Sequence, residues 1–419
     1  MHVRMMQHSD PIVVTGIGVA SAAGMGADVL LHALQQDRFC GRPWAGALPI
    51  QHVGSCDDAV PTHPEFPDDR KAGLAFAAAR ESVACAGGWE HVAPHRRAVF
   101  LGTGLSSVTP VELETDLYPH LDDGGRFDRV AMAQDLSMNR CAPRRHMPAR
   151  VTAGLCAELG ATGPSGTSFS ACAAASQAIG EGLHALRRGD ADIALVGGHD
   201  SMIHPLGMLS FVVLGALSPT RCRPFDPTRD GFMIGEGAGM LVLERASAAK
   251  ARGVSVLGVL AGVGTSVDAW NATAPHPKGV GAALAMSRAL VNARVTPADV
   301  DYVNCHGTGT PLGDRAECSA IRQVFGDRSL PISTIKGALG HTIAAAGAVE
   351  AIASVLALQH GFLPGTVGHG DLDAEFDVDV VRRSRPIQPN VIVSNSFGFG
   401  GQNCSLVFSS ADHAHLRSA

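Results

Sequence analysis

Three pairs of similar segments recur along the chain in the same order, and this duplication limits the possible folds more than any other feature of the sequence. Ile12-Val13-Val14-Thr15-Gly16-Ile17-Gly18, a β-branched run stopping at glycines, is matched by Val259-Leu260-Ala261-Gly262-Val263-Gly264. Both read as buried strands. Val99-Phe100-Leu101-Gly102-Thr103-Gly104 is matched by Val303-Asn304-Cys305-His306-Gly307-Thr308-Gly309, a strand running into a glycine turn, with polar residues gained in the second copy. In the third pair, Ser168-Phe169-Ser170-Ala171-Cys172 enters an Ala/Gly-rich helix, and Ile332-Ser333-Thr334-Ile335-Lys336 leads through Gly340-His341 into another. Any α/β protein repeats strand-turn-helix units, but three in register point to two halves built alike. Helices faced with Ala and Gly approach each other closely, so these two are expected back to back at the centre of the body. The first is predicted over Ala173 to Arg188, with Arg187 and Arg188 at the negative helix end and Gly189 as C-cap. The seam falls near Ala248 to Gly253, without a Pro- or Ser-rich linker, giving an N-terminal half at 11–250 and a C-terminal half at 251–412.

Composition narrows the function. Only 17% of the 419 residues are charged and 46% are hydrophobic, against roughly a quarter charged in an average soluble chain, so a large core and a broad subunit interface are expected. A net charge of −6 without any basic run excludes nucleic acid as a partner, although a small acidic carrier can still dock on a local basic patch. The ten cysteines include no Cys-x-x-Cys pair, which removes zinc-ribbon and thioredoxin readings and fits free thiols in a reducing cytoplasm. Met1 to Asp10 lacks the apolar core of a secretory signal. Thr342 to Leu358, the most apolar long stretch, is interrupted by Glu350 and rich in Ala and Gly, so it reads as a buried helix rather than a membrane span.

Three residues stand where chemistry is possible. Cys172 precedes Ala173-Ala174-Ala175, at the expected first turn of a helix, where free backbone N–H groups and the dipole lower a thiol's pKa. His306 lies in a polar, glycine-rich strand end, and His341 heads the second small-residue helix, which the duplication sets against that of Cys172. Alone, a cysteine among ten is most often a small buried hydrophobe and a histidine among nineteen a structural residue; their value is in combination. Three N/S ligands can hold zinc in principle, but this spacing resembles no metal motif, and no metal is expected.

Ser170-Ala171-Cys172-Ala173, His306-Gly307-Thr308-Gly309-Thr310, the Lys336 to Gly347 stretch, the glycine-rich Arg229 to Gly239 and the closing Asn395 to Asn403 together resemble the signatures of the β-ketoacyl-acyl carrier protein synthases, nearest to the KAS II type. The resemblance covers Pro11 to Ser409 and implies the thiolase-like duplicated five-layered α-β-α-β-α sandwich. It implies an acyltransferase that condenses an acyl thioester held on Cys172 with malonyl-acyl carrier protein, in fatty acid biosynthesis or in a specialised polyketide or aryl polyene pathway. No cofactor is implied, since substrates ride on the phosphopantetheine arm of the carrier protein. The implied assembly is a homodimer, or a heterodimer with a chain-length subunit.

Carried over by position, the backbone N–H groups of Cys172 and Phe399 form an oxyanion hole, and His306 and His341 stabilise the enolate left by decarboxylation. Lys336 stands beside His341 with Glu317 placed to pair with it, while Glu350 is expected to be structural. Thr308 and Thr310, joined by Thr273, hold the pantetheine amides; Leu105, Phe211 and Phe399 line or gate the acyl pocket. Departures from the commonest pattern are Gly337 for serine, Gln402 for the threonine before Asn403, and Gly198-His199-Asp200-Ser201-Met202 for Gly-Gly-Ala-Glu. A thiolase would need a second cysteine in a Cys-x-Gly context, whereas Cys404 is followed by Ser405; the coenzyme A-primed synthases use Cys-His-Asn; a non-catalytic chain-length subunit normally lacks the cysteine.

Overall fold

The β-branched run from Ile12 forms strand β1 (Ile12–Ser21), buried along its whole length, and its counterpart forms β6 (Gly258–Val267). The computed structural model describes residues 10–56, 60–67, 69–104, 110–138 and 147–412. The other main strands are β2 (Arg97–Thr103), β3 (Ser165–Ser168), β4 (Ile193–Ser201) and β5 (Glu236–Arg245) in the first half, and β7 (Tyr302–Asn304), β8 (Pro331–Ser333), β9 (Val391–Gly398) and β10 (Gln402–Ser409) in the second. Across the sheet they run β8-β7-β9-β10-β6-β1-β5-β4-β2-β3. This order is a palindrome in which each strand of one half has its counterpart five numbers away. Strand directions repeat too: β2 is parallel to β3 and β4, β7 is parallel to β8 and β9, and β5 and β10 are antiparallel to their neighbours. Two-residue strands at Gly24–Met25 and Asp379–Val380 bring the sheet to twelve strands, and its two halves join where β1 meets β6, through Val13 opposite Val259 and Val14 opposite Gly258.

Five helices complete the layers: α1 (Arg70–Cys85), α2 (Ala174–Arg188), α3 (Val280–Ala293), α4 (Pro311–Phe325) and α5 (Ala346–His360). Helix α1 packs on β1, β4 and β5, while α3 packs on β6, β9 and β10 with α4 against it. Between the sheets, α2 and α5 touch each other and strands of both halves. The result is the duplicated α-β-α-β-α sandwich that the resemblance implies.

Small residues make the centre possible. A Cβ on Gly102 would lie 2.3 Å from the backbone N of Ala175, and one on Gly347 would lie 2.1 Å from Ser176 Oγ. Helix α2 ends as the sequence predicts, with Gly189 left-handed at φ 78°, and α5 ends likewise at Gly361, φ 64°. Their starts match as well. Each follows a single 3₁₀ turn whose first residue is left-handed although it carries a Cβ: Ala171 at φ 47° and Ile343 at φ 48°. Such residues cost on the order of 1–3 kcal/mol each, so strain is stored at both helix entries, beside Cys172 and His341. Among the described residues, the one helix long and apolar enough to cross a membrane, Ile343–His360, is 89% buried within the molecule.

Candidate active site

Cys172 sits in the 3₁₀ turn that closes β3 and opens α2. His306 follows β7 in a turn whose glycines, Gly307 at φ 37° and Gly309 at φ 72°, adopt the left-handed backbone that a side chain would resist. Carboxylates on α4 hold this turn. Glu317 accepts from the N–H of His306 at 2.8 Å and of Gly307 at 2.7 Å, and Asp314 accepts from the N–H of Gly309 at 3.1 Å. His341 is placed by backbone pairing, its N–H donating to Met233 O at 2.7 Å and its carbonyl accepting from Gly235 N–H at 2.8 Å.

The three side chains converge. His341 Nε2 lies 3.1 Å from Cys172 Sγ, and the rings of His306 and His341 stand 5.3 Å apart at 83°. The N–H of Ile343 donates to Nδ1 of His341 at 3.2 Å. That nitrogen therefore carries no proton, and the ring proton sits on Nε2, facing the sulfur. Burial holds both imidazoles well below the ordinary histidine range, with Lys336 acting in the same direction, so each is neutral at pH 7 and offers one N–H. Sγ and a nitrogen of each histidine lie within 4.8 Å of one another, as ligands of a metal ion would. The tautomer opposes that use, because freeing the Nε2 lone pair would place a proton on Nδ1, against the N–H of Ile343.

Two expectations are corrected. The Cys172 thiol is raised, not lowered: burial pushes it up to about 12, against the opposing pull of Lys336, with Asp200 adding to the rise and the Phe399 N–H working against it. Loss of water around the sulfur is the largest influence. Nor does Lys336 pair with Glu317. Its ammonium bonds Glu350 of α5, both groups being almost completely buried, while Glu317 is occupied by the His306 turn and by Asn395 Nδ2 at 3.1 Å. Burial raises the Glu350 carboxyl to about 7 even with Lys336 beside it.

A cavity of about 390 Å³ reaches the three groups, with Thr273, Thr308 and Thr310 along it and Phe211 and Phe399 beside Cys172. The hydroxyls of Thr308 and Thr310 are 3.0 Å apart, and Thr273 is exposed, its N–H bonded to Asn271 Oδ1 at 2.9 Å. Phe211 packs 6.4 Å from Phe399 and 5.4 Å from Phe232, ring centre to ring centre. Leu105 lies outside the described residues. Gly398 lets the Phe399 loop approach: a Cβ there would sit 3.2 Å from Cys172 N. Sequence reasoning missed Phe232, whose ring meets His341 edge-on at 5.0 Å. The glycine-rich Arg229 to Gly239 segment was the available signal. A larger hollow of about 560 Å³, between Leu372 and Arg385, is open to solvent and holds none of these groups.

Comparison with known proteins agrees with this arrangement. Residues 50–249 match the N-terminal domain of β-ketoacyl synthases and residues 257–369 the C-terminal domain. A 3-oxoacyl-[acyl-carrier-protein] synthase 2 of Staphylococcus aureus is 40% identical over 270 residues, 62% of this chain and 67% of that enzyme. A protein described as polyketide β-ketoacyl synthase 1, from Streptomyces cyaneus, is 35% identical over 411 residues, 93% of this chain and 96% of its own length. The solved structure of the ishigamide ketosynthase/chain length factor is 33% identical and superposes with a TM-score of 0.83, covering 96% of this chain and all of its own. The chain belongs to the β-ketoacyl synthase family and is a condensing enzyme of the acyltransferase type.

Proposed function

We propose that this condensing enzyme loads an acyl chain on Cys172 and joins it to the two-carbon unit left when malonyl-carrier protein loses carbon dioxide. The observation that carries the reading is the neutral His341 Nε2–H at 3.1 Å from Cys172 Sγ, with His306 beside it. In the first step sulfur adds to the thioester carbonyl, the N–H groups of Cys172 and Phe399 receive the charged oxygen, and the carrier thiol leaves with the proton that Cys172 gives up. In the second, breaking the malonyl carbon–carboxylate bond releases carbon dioxide and leaves an enolate. Its oxygen accepts from His341 Nε2–H and from His306, and neutral donors suffice because the charge arises only as the bond breaks. The enolate carbon attacks the acyl carbonyl, and the Cys172 sulfur departs as thiolate and takes up one proton from solvent, the proton that the loss of the carboxylate as carbon dioxide requires. Thr308, Thr310 and Thr273 bind the neutral amides of the arm, and no metal or further cofactor takes part. Lys336 and Glu350 maintain the polarity of the wall behind His341, and Glu317 anchors His306.

Intact-mass measurement after mixing with acyl-carrier protein tests the reading: one acyl mass is expected on Cys172 and none in Cys172→Ala. Replacing either histidine by glutamine is expected to slow malonyl decarboxylation more than loading. Acylation at Cys305 or Cys318, or equal loss of both steps in folded variants, would count against it.

The 40% identity with the Staphylococcus 3-oxoacyl-[acyl-carrier-protein] synthase 2 supports elongation of acyl chains on a carrier protein, the step that fatty acid synthesis repeats. The full-length likeness to the Streptomyces protein and to the ketosynthase/chain length factor structure supports a polyketide reading, with a chain-length subunit as partner. Incubation with octanoyl- and malonyl-carrier protein separates the two. One added unit made by the enzyme alone supports the first; activity only with a chain-length subunit, over several units, supports the second.

A further inference from the structure

We propose that Gln177 and Gln402 form a clamp that holds the Phe399 N–H over Cys172, which makes them positioning residues for the loading step. This rests on the acylation of Cys172 proposed above.

Two turns from opposite halves have to meet for that step: the one carrying Cys172 and the loop between β9 and β10 carrying Phe399. Gly400 and Gly401 in that loop are left-handed, at φ 83° and 74°, so its backbone is not held by regular structure. Gly400 N–H donates to Ala272 O at 2.7 Å and Asp268 N–H donates to Gly401 O at 2.9 Å. Those bonds tie the loop to its own half, not to Cys172. Side chains supply a link across. Ser170 Oγ donates to Gln177 Oε1 at 2.7 Å, and Gln177 Nε2 donates to Gln402 Oε1 at 3.4 Å.

The positions of these residues make the link a closed ring. Ser170 is two residues before Cys172, and Gln177 is on the first turn of α2. Gln402 opens β10 directly opposite Gly398, the residue that backs onto Cys172 N and Ser170 O. Pulling Gln402 away would therefore swing Gly398 and Phe399 off the sulfur. Gln402 also stands where the family resemblance has threonine, whose side-chain oxygen sits two bonds nearer the backbone than that of glutamine. An oxyanion donor works only when already in place, and a displacement of about 1 Å can cost about a hundredfold in rate.

The test compares two reactions of the same sulfur: acylation by acyl-carrier protein, which builds an oxyanion, and alkylation by iodoacetamide, which does not. In Gln177→Ala and Gln402→Ala the acylation rate constant is expected to fall about tenfold, and alkylation by less, because alkylation loses only the help the Phe399 N–H gives the thiolate; KM for the carrier and Tm are expected to stay unchanged. The double variant is expected to be no slower than either single one, because the same link is lost once. Unchanged acylation in the single variants, multiplied losses in the double, or a matching fall in alkylation would overturn the clamp while leaving the proposed function intact. A wild-type enzyme that alkylates but never acylates would overturn both.

Discussion

Protonating His306 or His341 would bring charge into a wall that excludes water and already holds Lys336, which is why both imidazoles stay neutral well below the usual histidine range. An unfolded histidine titrates near pH 6.5. Above that value neither state binds the proton and stability is unaffected; below it the unfolded chain takes up protons that the folded chain refuses, so stability falls as pH falls. Unfolding free energy measured with urea is expected to depend less steeply on pH between about pH 6.5 and pH 5 in His341→Asn than in the wild type, by up to about 1.4 kcal/mol per pH unit, while the raised Glu350 carboxyl, protonating first in the folded chain, pulls the other way in both proteins. An unchanged slope in that variant would show that His341 does not resist the proton. At this scale the sequence is informative about identity but not about state. Cys172, His306 and His341 stand out through their glycine and small-residue surroundings, whereas the raised thiol and the tautomer of His341 follow from water exclusion and from one backbone N–H, that of Ile343.

Helices α2 and α5 cross where Gly347 faces Ser176, whose hydroxyl is 2.8 Å from that of Ser396 on β9. Gly347→Ala sets a methyl carbon 2.1 Å from Ser176 Oγ if nothing moves. The expected cost is about 1–3 kcal/mol of stability, read as a lowered Tm. Adding Ser176→Gly to that variant is expected to recover part of the loss, and failure to do so would place the clash elsewhere. The helices themselves were legible: α2 begins one residue after the predicted Ala173 and ends at Arg188. Their entries were not. Left-handed residues are normally announced by glycine, and here alanine and isoleucine occupy those positions, held there by the surrounding packing.

Each central helix packs against strands of both halves, and the sheets are continuous through β1 and β6. Separate 11–250 and 251–412 fragments therefore leave one face of α2 and of α5 uncovered. Each fragment alone is expected to lack a cooperative thermal transition, and mixing the two is expected to restore it; a sharp transition in either fragment would contradict this interdependence. The duplication, the small-residue helices and the three chemically competent side chains were determined by the sequence itself, because periodicity, glycine and side-chain size act on a residue and its near neighbours. Only the tertiary structure decided that Lys336 takes Glu350 instead of Glu317, that the thiol is held protonated, and that Gln177 reaches Gln402. Hydrogen-bond partners and loss of water depend on which distant segments are brought together, and no local pattern records that meeting.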